Sequence, residues 1–221
     1  MGSWGSLPRG RRPTKQEANE FLLASAFDYQ QRALVWDTVR KLVREDLRNP
    51  GDLWGTIVRR HRSDWRAWDR LARRLHRFPK ARERLVNRIA PIMVDRFAGD
   101  ARRLWNRSTS PYEVTYTLAS ELRLGPQLSR MVTGGLIDCE QIPPGRADVK
   151  GDSNITRVLS RVFGLDDLSS EDAVAVARVL HPVCAWRLDR SLFQVGTEWC
   201  LEGSAPRCAD CYLRRVCDFA E

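Results

Sequence analysis

Four of the six cysteines in this 221-residue chain, Cys200, Cys208, Cys211 and Cys217, fall within its last 22 residues, separated by gaps of seven, two and five. Thiolates that close in sequence can wrap a single inorganic centre, either one tetrahedral zinc ion or one cubane cluster. Their crowding argues against a disulfide framework, which would spread its cysteines along the chain. A zinc ribbon pairs two short Cys-x-x-Cys hairpins, and here only Cys208 and Cys211 make one, so the uneven gaps favour a 4Fe-4S cluster over zinc. Cys139 and Cys184 stand apart and read as small apolar residues.

Elsewhere the apolar spacing is helical, as in Trp36, Val39, Val43 and Leu47 or Trp65, Trp68, Leu71 and Leu75, and no convincing strand is found. The expected fold is all-α. Helices are expected over 15–29, 80–97, 155–163 and 188–199, with further starts marked by Ser63 before Asp64, Ser110 before Pro111, Gly125 before Pro126, and Ser170 before Glu171. Turns fall at 49–51, 78–79 and 98–100, and the longest irregular stretch is expected over 134–152. Residues 1–14 read as a disordered tail. Trp36, Trp54, Trp65, Trp68 and Trp105 suit core faces, and His61, His76 and His181 share no ligand spacing.

The net charge of +9 and pI near 9.7 favour a polyanionic partner, because lysine and arginine displace the counterions condensed on nucleic acid. No run of roughly eighteen apolar residues could span a bilayer, and residues 1–14 lack an apolar signal core. The expectation is a cytoplasmic protein with no membrane partner, acting as a monomer.

Two further segments join the cysteines to a known group. The run Leu122-Arg123-Leu124-Gly125-Pro126-Gln127-Leu128-Ser129-Arg130 looks like a helix-hairpin-helix with one of its two usual glycines, and Gly151-Asp152-Ser153-Asn154 precedes the helical stretch Ile155-Thr156-Arg157-Val158. Together with the cysteine loop, they resemble the helix-hairpin-helix DNA glycosylase superfamily, in particular the endonuclease III and the adenine and thymine mismatch glycosylases. Those proteins usually have six residues, not seven, in the first cysteine gap. The resemblance covers about residues 15–217 and is most specific after residue 122.

The resemblance implies a two-lobed fold in which double-stranded DNA and a flipped base lie in the cleft between lobes. One lobe would be a six-helix barrel with the hairpin (15–145) and the other a 4Fe-4S domain (146–221). It implies that Asp152 is the catalytic carboxylate, stabilising positive charge on the sugar as the N-glycosidic bond breaks. Taken alone, without the surrounding motif, Asp152 reads as a helix N-cap. Gln127 stands where bifunctional relatives carry a lysine nucleophile, and an amide forms no imine, so lyase activity by that route is not expected. Lys150 is near Asp152 in sequence but outside the hairpin.

Phosphate contacts are expected from Gly125, Gln127, Ser129 and Arg130 and from Arg207, Arg214 and Arg215 of the cysteine loop. Phe27, Asp28, Tyr29, Gln30 and Asn154 are candidates for the base pocket or the wedge that fills the gap. Leu23 takes the place of the glutamate that adenine-specific relatives use to protonate the base, which disfavours adenine and gives a slight preference to a pyrimidine. The expected function is therefore a monofunctional DNA glycosylase of base-excision repair. The alternative is a non-catalytic iron–sulfur DNA-binding protein on the same scaffold.

Overall fold

The structure is a computed structural model and describes residues 7–27, 39, 41, 45, 50–64, 66, 69, 70, 73, 78–203 and 205–220. Among them every regular element is helical, as the apolar spacing demands, and no helix is long and apolar enough to cross a membrane. The chain divides into two units, Met1–Pro143 and Pro144–Glu221, each with a hydrophobic core of its own.

In the first unit α1 (Lys15–Phe27) is central, with every residue from 18 to 27 buried. A helix that is apolar on nearly all sides must lie inside. Its buried Asn19 is satisfied: Nδ2 donates to the Gly99 carbonyl at 2.8 Å and Oδ1 accepts from the Ala101 N–H at 2.9 Å. Around α1 stand α2 (Leu53–Ser63), α3 (Pro79–Phe97), α4 (Pro111–Ser120) and α5 (Pro126–Asp138), with α2 packed along α3 and α4 along α5. Trp54 and Trp105 are core residues, the latter edge-on to Phe21 at 6.3 Å. Trp36, Val43, Leu47, Trp65, Trp68, Leu71, Leu75 and His76 lie outside the described residues.

Three local expectations are adjusted. Ser63 is the last residue of α2, its hydroxyl donating to the Arg59 carbonyl at 2.9 Å, and the helix expected at this point starts just beyond Asp64, where residues 66, 69, 70 and 73 are helical. The irregular stretch begins at Cys139, not Gly134: both Gly134 and Gly135 are buried inside α5, where packing overrides the weak helix propensity of glycine. The tail is tied down from Leu7, which is buried, while Gln141 Nε2 donates to the Pro8 and Arg11 carbonyls and the Gly10 N–H bonds the Cys139 carbonyl.

In the second unit α6 (Ser153–Val162) packs against α7 (Ser170–Leu180) and α8 (Trp186–Glu198) through Ile155, Val158 and Leu159, the i, i+3, i+4 stripe of an amphipathic helix. α7 opens one residue before the expected cap: Ser169 and Asp172 form a reciprocal capping box, which leaves the Ser170 hydroxyl for another task. After α8 the chain makes three short 3-10 turns, Cys208–Asp210, Arg214–Val216 and Asp218–Ala220.

Candidate active site

Asp152 is the N-cap of α6. Its Oδ1 accepts from the Asn154 and Ile155 N–H groups at 3.1 and 3.0 Å, satisfying two donors that the first helical turn leaves open. Oδ2 is directed to Lys150, whose Nζ lies 3.5 Å away. The side chain is 24% exposed, so it is not sealed from solvent.

The turn that delivers Asp152 is fixed from three sides. Gly151 has φ +66°, and a Cβ there would stand 2.8 Å from both the carbonyl oxygen and the hydroxyl of Ser170, so only glycine fits. The Ser170 hydroxyl donates to the Gly151 carbonyl. Lys150 offers its backbone N–H to Asp189 Oδ1 at 2.8 Å and its ammonium to Asp189 Oδ2 at 3.4 Å, while Nζ lies 4.3 Å from the centre of the Phe193 ring. Burial, reinforced by the like charge of Asp152 and opposed by Lys150, pushes the Asp189 carboxyl up to about 6. Sequence reasoning missed Asp189. Its signal was an acid on the apolar stripe of Trp186, Leu192 and Val195 in α8.

Asn154, expected in the base pocket, instead serves the scaffold: Oδ1 accepts from Arg157 Nη2 at 2.7 Å, and the Arg157 guanidinium also grips the Gly196 and Cys200 carbonyls. Phe27 is wholly buried in the first unit's core, which removes it as a wedge candidate. Asp28, Tyr29 and Gln30 lie outside the described residues.

At the hairpin, α5 begins after Gly125 with Pro126 at its first turn and no side-chain cap. Nothing lies within 4 Å of where a Gly125 Cβ would be, so the positive end of the helix is approachable. Arg123 takes a left-handed φ of 53°, which explains how the turn closes with a single obvious glycine: an arginine carries the strain a glycine would avoid, about 1 kcal/mol. Gln127 is half-buried, whereas Ser129 and Arg130 are buried, so packing takes those two from the surface on which phosphate contacts were expected.

Cys200, Cys208, Cys211 and Cys217 all line one small pocket of about 20 Å³, partly open to solvent, together with Val158 and Val195. Arg161 Nη1 donates to Cys200 Sγ at 3.2 Å, and Cys217 Sγ lies 3.5 Å from the Arg161 carbonyl. Among the described residues no three or more His, Cys, Asp or Glu side chains are close enough together to hold a single metal ion. Arg207, Arg214 and Arg215 are exposed around this loop, Arg207 within 3.8 Å of Asp210. Cys139 and Cys184 are buried and unpaired with one another, and burial pushes the Cys139 thiol up to about 11, which makes it inert.

No family model and no curated protein matches the sequence. Solved structures do match the fold. A structure of a trapped covalent endonuclease III–DNA intermediate, an estranged-adenine complex, is similar over 95% of this chain and 86% of its own, with a TM-score of 0.61 and 14% identity. A thermostable thymine-DNA glycosylase is similar over 92% of this chain and 84% of its own, with a TM-score of 0.65 and 14% identity. The all-helical endonuclease III-like fold is thus shared across nearly the whole chain.

Proposed function

We propose that this protein is a monofunctional DNA glycosylase that acts as a monomer on double-stranded DNA. It hydrolyses the bond between a damaged, mismatched or modified base, with a slight preference for a pyrimidine, and its deoxyribose, leaving an abasic site. The observation that carries this reading is Asp152: a carboxylate held at a helix start, with one oxygen spent on the cap, the other facing Lys150, and a side chain 24% exposed. As the N-glycosidic bond lengthens, electrons leave with the base and positive charge grows on the sugar. A fixed carboxylate stabilises that charge and can take a proton from the attacking water. Gln127 offers no amine for imine formation. Two structural neighbours, one trapped on DNA and one a thymine-DNA glycosylase, support the same reading.

The open N-terminus of α5 at Gly125 and the exposed Arg207, Arg214 and Arg215 would bind backbone phosphates, in line with the net charge of +9. The pocket lined by four cysteines suits a 4Fe-4S cluster held by Cys200, Cys208, Cys211 and Cys217. A single zinc ion would draw its sulfurs to about 3.8 Å of one another, given Zn–S bonds of about 2.3 Å. The uneven gaps of seven, two and five residues, with a single short Cys-x-x-Cys pair, favour the larger cluster over zinc. When bound, the cluster cross-links the ends of this loop and so stabilises it.

The test is a panel of duplexes carrying single lesions or mismatches, incubated with protein, cleaved with alkali and analysed for released base by mass spectrometry. Strand breaks at one or more lesions from the wild type, reduced at least about 100-fold in Asp152→Asn, are expected. Asparagine caps a helix as well as aspartate, so the loss cannot be assigned to unfolding. Duplex binding without base release across the panel would favour the non-catalytic alternative, in which Asp152 is a cap and nothing more.

A further inference from the structure

We propose that Lys150 and Asp189 are positioning residues that fix the Asp152 carboxylate beside a half-buried positive charge and so set its aim at the sugar. The inference rests on the reading of Asp152 as the sugar-facing group.

Capping alone does not require this arrangement. Asp152 Oδ1 accepts both helical N–H groups, and Oδ2 would be unconstrained by the cap. It is instead 3.5 Å from the Lys150 ammonium, which is 3.4 Å from Asp189 Oδ2. One cation thus serves two carboxylates. The Lys150 side chain is only 19% exposed and that of Asp189 only 5%, so water does little to balance either charge and each depends on its neighbour. Asp189 grips Lys150 at both ends, the backbone N–H at 2.8 Å and the ammonium at 3.4 Å, while the Phe193 ring sits beside Nζ. Both Asp189 and Phe193 belong to α8, the helix packed along α6, so the core places them.

The charged groups that bear on Asp189 are Lys150 and Asp152. Arg157 on α6 is turned onto the Gly196 and Cys200 carbonyls, and Arg178 on α7 pairs with Asp148 at 2.7 Å. With Asp189 ionised the three groups carry a net charge of −1, which favours a growing cation nearby. With Asp189 protonated they sum to zero. Excision should therefore slow as pH falls through about 6.

Two measurements on the full chain test this. The first is a carbon-13 carboxyl titration of Asp189 without DNA: its midpoint should rise in Lys150→Met, which removes a neighbouring cation, and fall in Asp152→Asn, which removes a like charge. The second is single-turnover excision. Lys150→Met should slow it about tenfold or more with duplex affinity unchanged within about twofold, and Lys150→Arg should recover most of the rate. Asp189→Asn keeps an acceptor for the Lys150 N–H, so it should slow excision less and abolish the acid limb near pH 6. Midpoints that do not move in either variant overturn the proposal, as does wild-type excision by a folded Lys150→Met. A wild type that releases no base while both midpoints move as stated overturns the glycosylase reading and the aiming role, and supports the charge coupling alone.

Discussion

Two helices of this protein begin in opposite ways. α5 starts behind Gly125 with no side-chain cap and open space in front, whereas α6 starts behind Asp152, whose Oδ1 takes up two of its first N–H groups. Both ends present the same positive dipole. One is left for an anion from outside, and the other is filled by the protein's own carboxylate, whose second oxygen faces Lys150. The same backbone physics thus makes a candidate phosphate seat in one unit and a fixed acidic group in the other, and only the capping residue distinguishes them.

The largest break in that comparison should come from Gly151→Ala. The added methyl meets two Ser170 oxygens at 2.8 Å on a backbone with φ +66°, and the loss should be about 3 kcal/mol or more, read as a lowered denaturation midpoint. Gly125→Ala, by contrast, meets nothing within 4 Å at a φ of −64°, so its stability should stay within about 1 kcal/mol while duplex affinity falls several-fold.

A smaller effect, specific to the α6 turn, follows pH. The Asp189 carboxyl is raised from its ordinary 3.8 to about 6, so the folded state prefers it protonated. Its contribution to stability is greatest below about pH 4 and is lost as pH rises through about 6. At about 1.4 kcal/mol per pH unit of displacement, this amounts to roughly 2–3 kcal/mol. Melting curves of Asp189→Asn against wild type at several pH values should show the difference between them changing in that window and nowhere else; a constant difference would sink the assignment.

The smallest change sharpens the α5 side: Arg123→Gly should relieve the left-handed backbone at φ 53° and raise the midpoint by an amount worth about 1 kcal/mol or less, because the unfolded chain gains freedom as well. The Arg88 guanidinium donates to the Arg123 carbonyl, a bond that does not depend on the side chain replaced.

Helix content was legible because the apolar period repeats over many residues, and Ser110, Gly125 with Pro126, and Asp152 marked helix starts through local chemistry alone. Ser63 with Asp64 marked the boundary at which one helix ends and the next begins, whereas Gly134 with Gly135 was misread because two glycines look like a turn until their packing is known. The cysteine spacing pointed to four side chains around one centre; all four line one pocket, but among the described residues no three are gathered closely enough for a single metal ion.

By itself, then, the sequence determined the all-helical class, the four-thiol loop and the helix that begins at Asp152, since each depends on residues near one another along the chain. Only the tertiary structure brought Asp189, 37 positions downstream of Asp152, to the same ammonium, and only it buried Phe27, Ser129 and Arg130. The physical reason is that burial and charge pairing depend on which helix faces pack together, and no local pattern states that for a single acid on an otherwise apolar stripe.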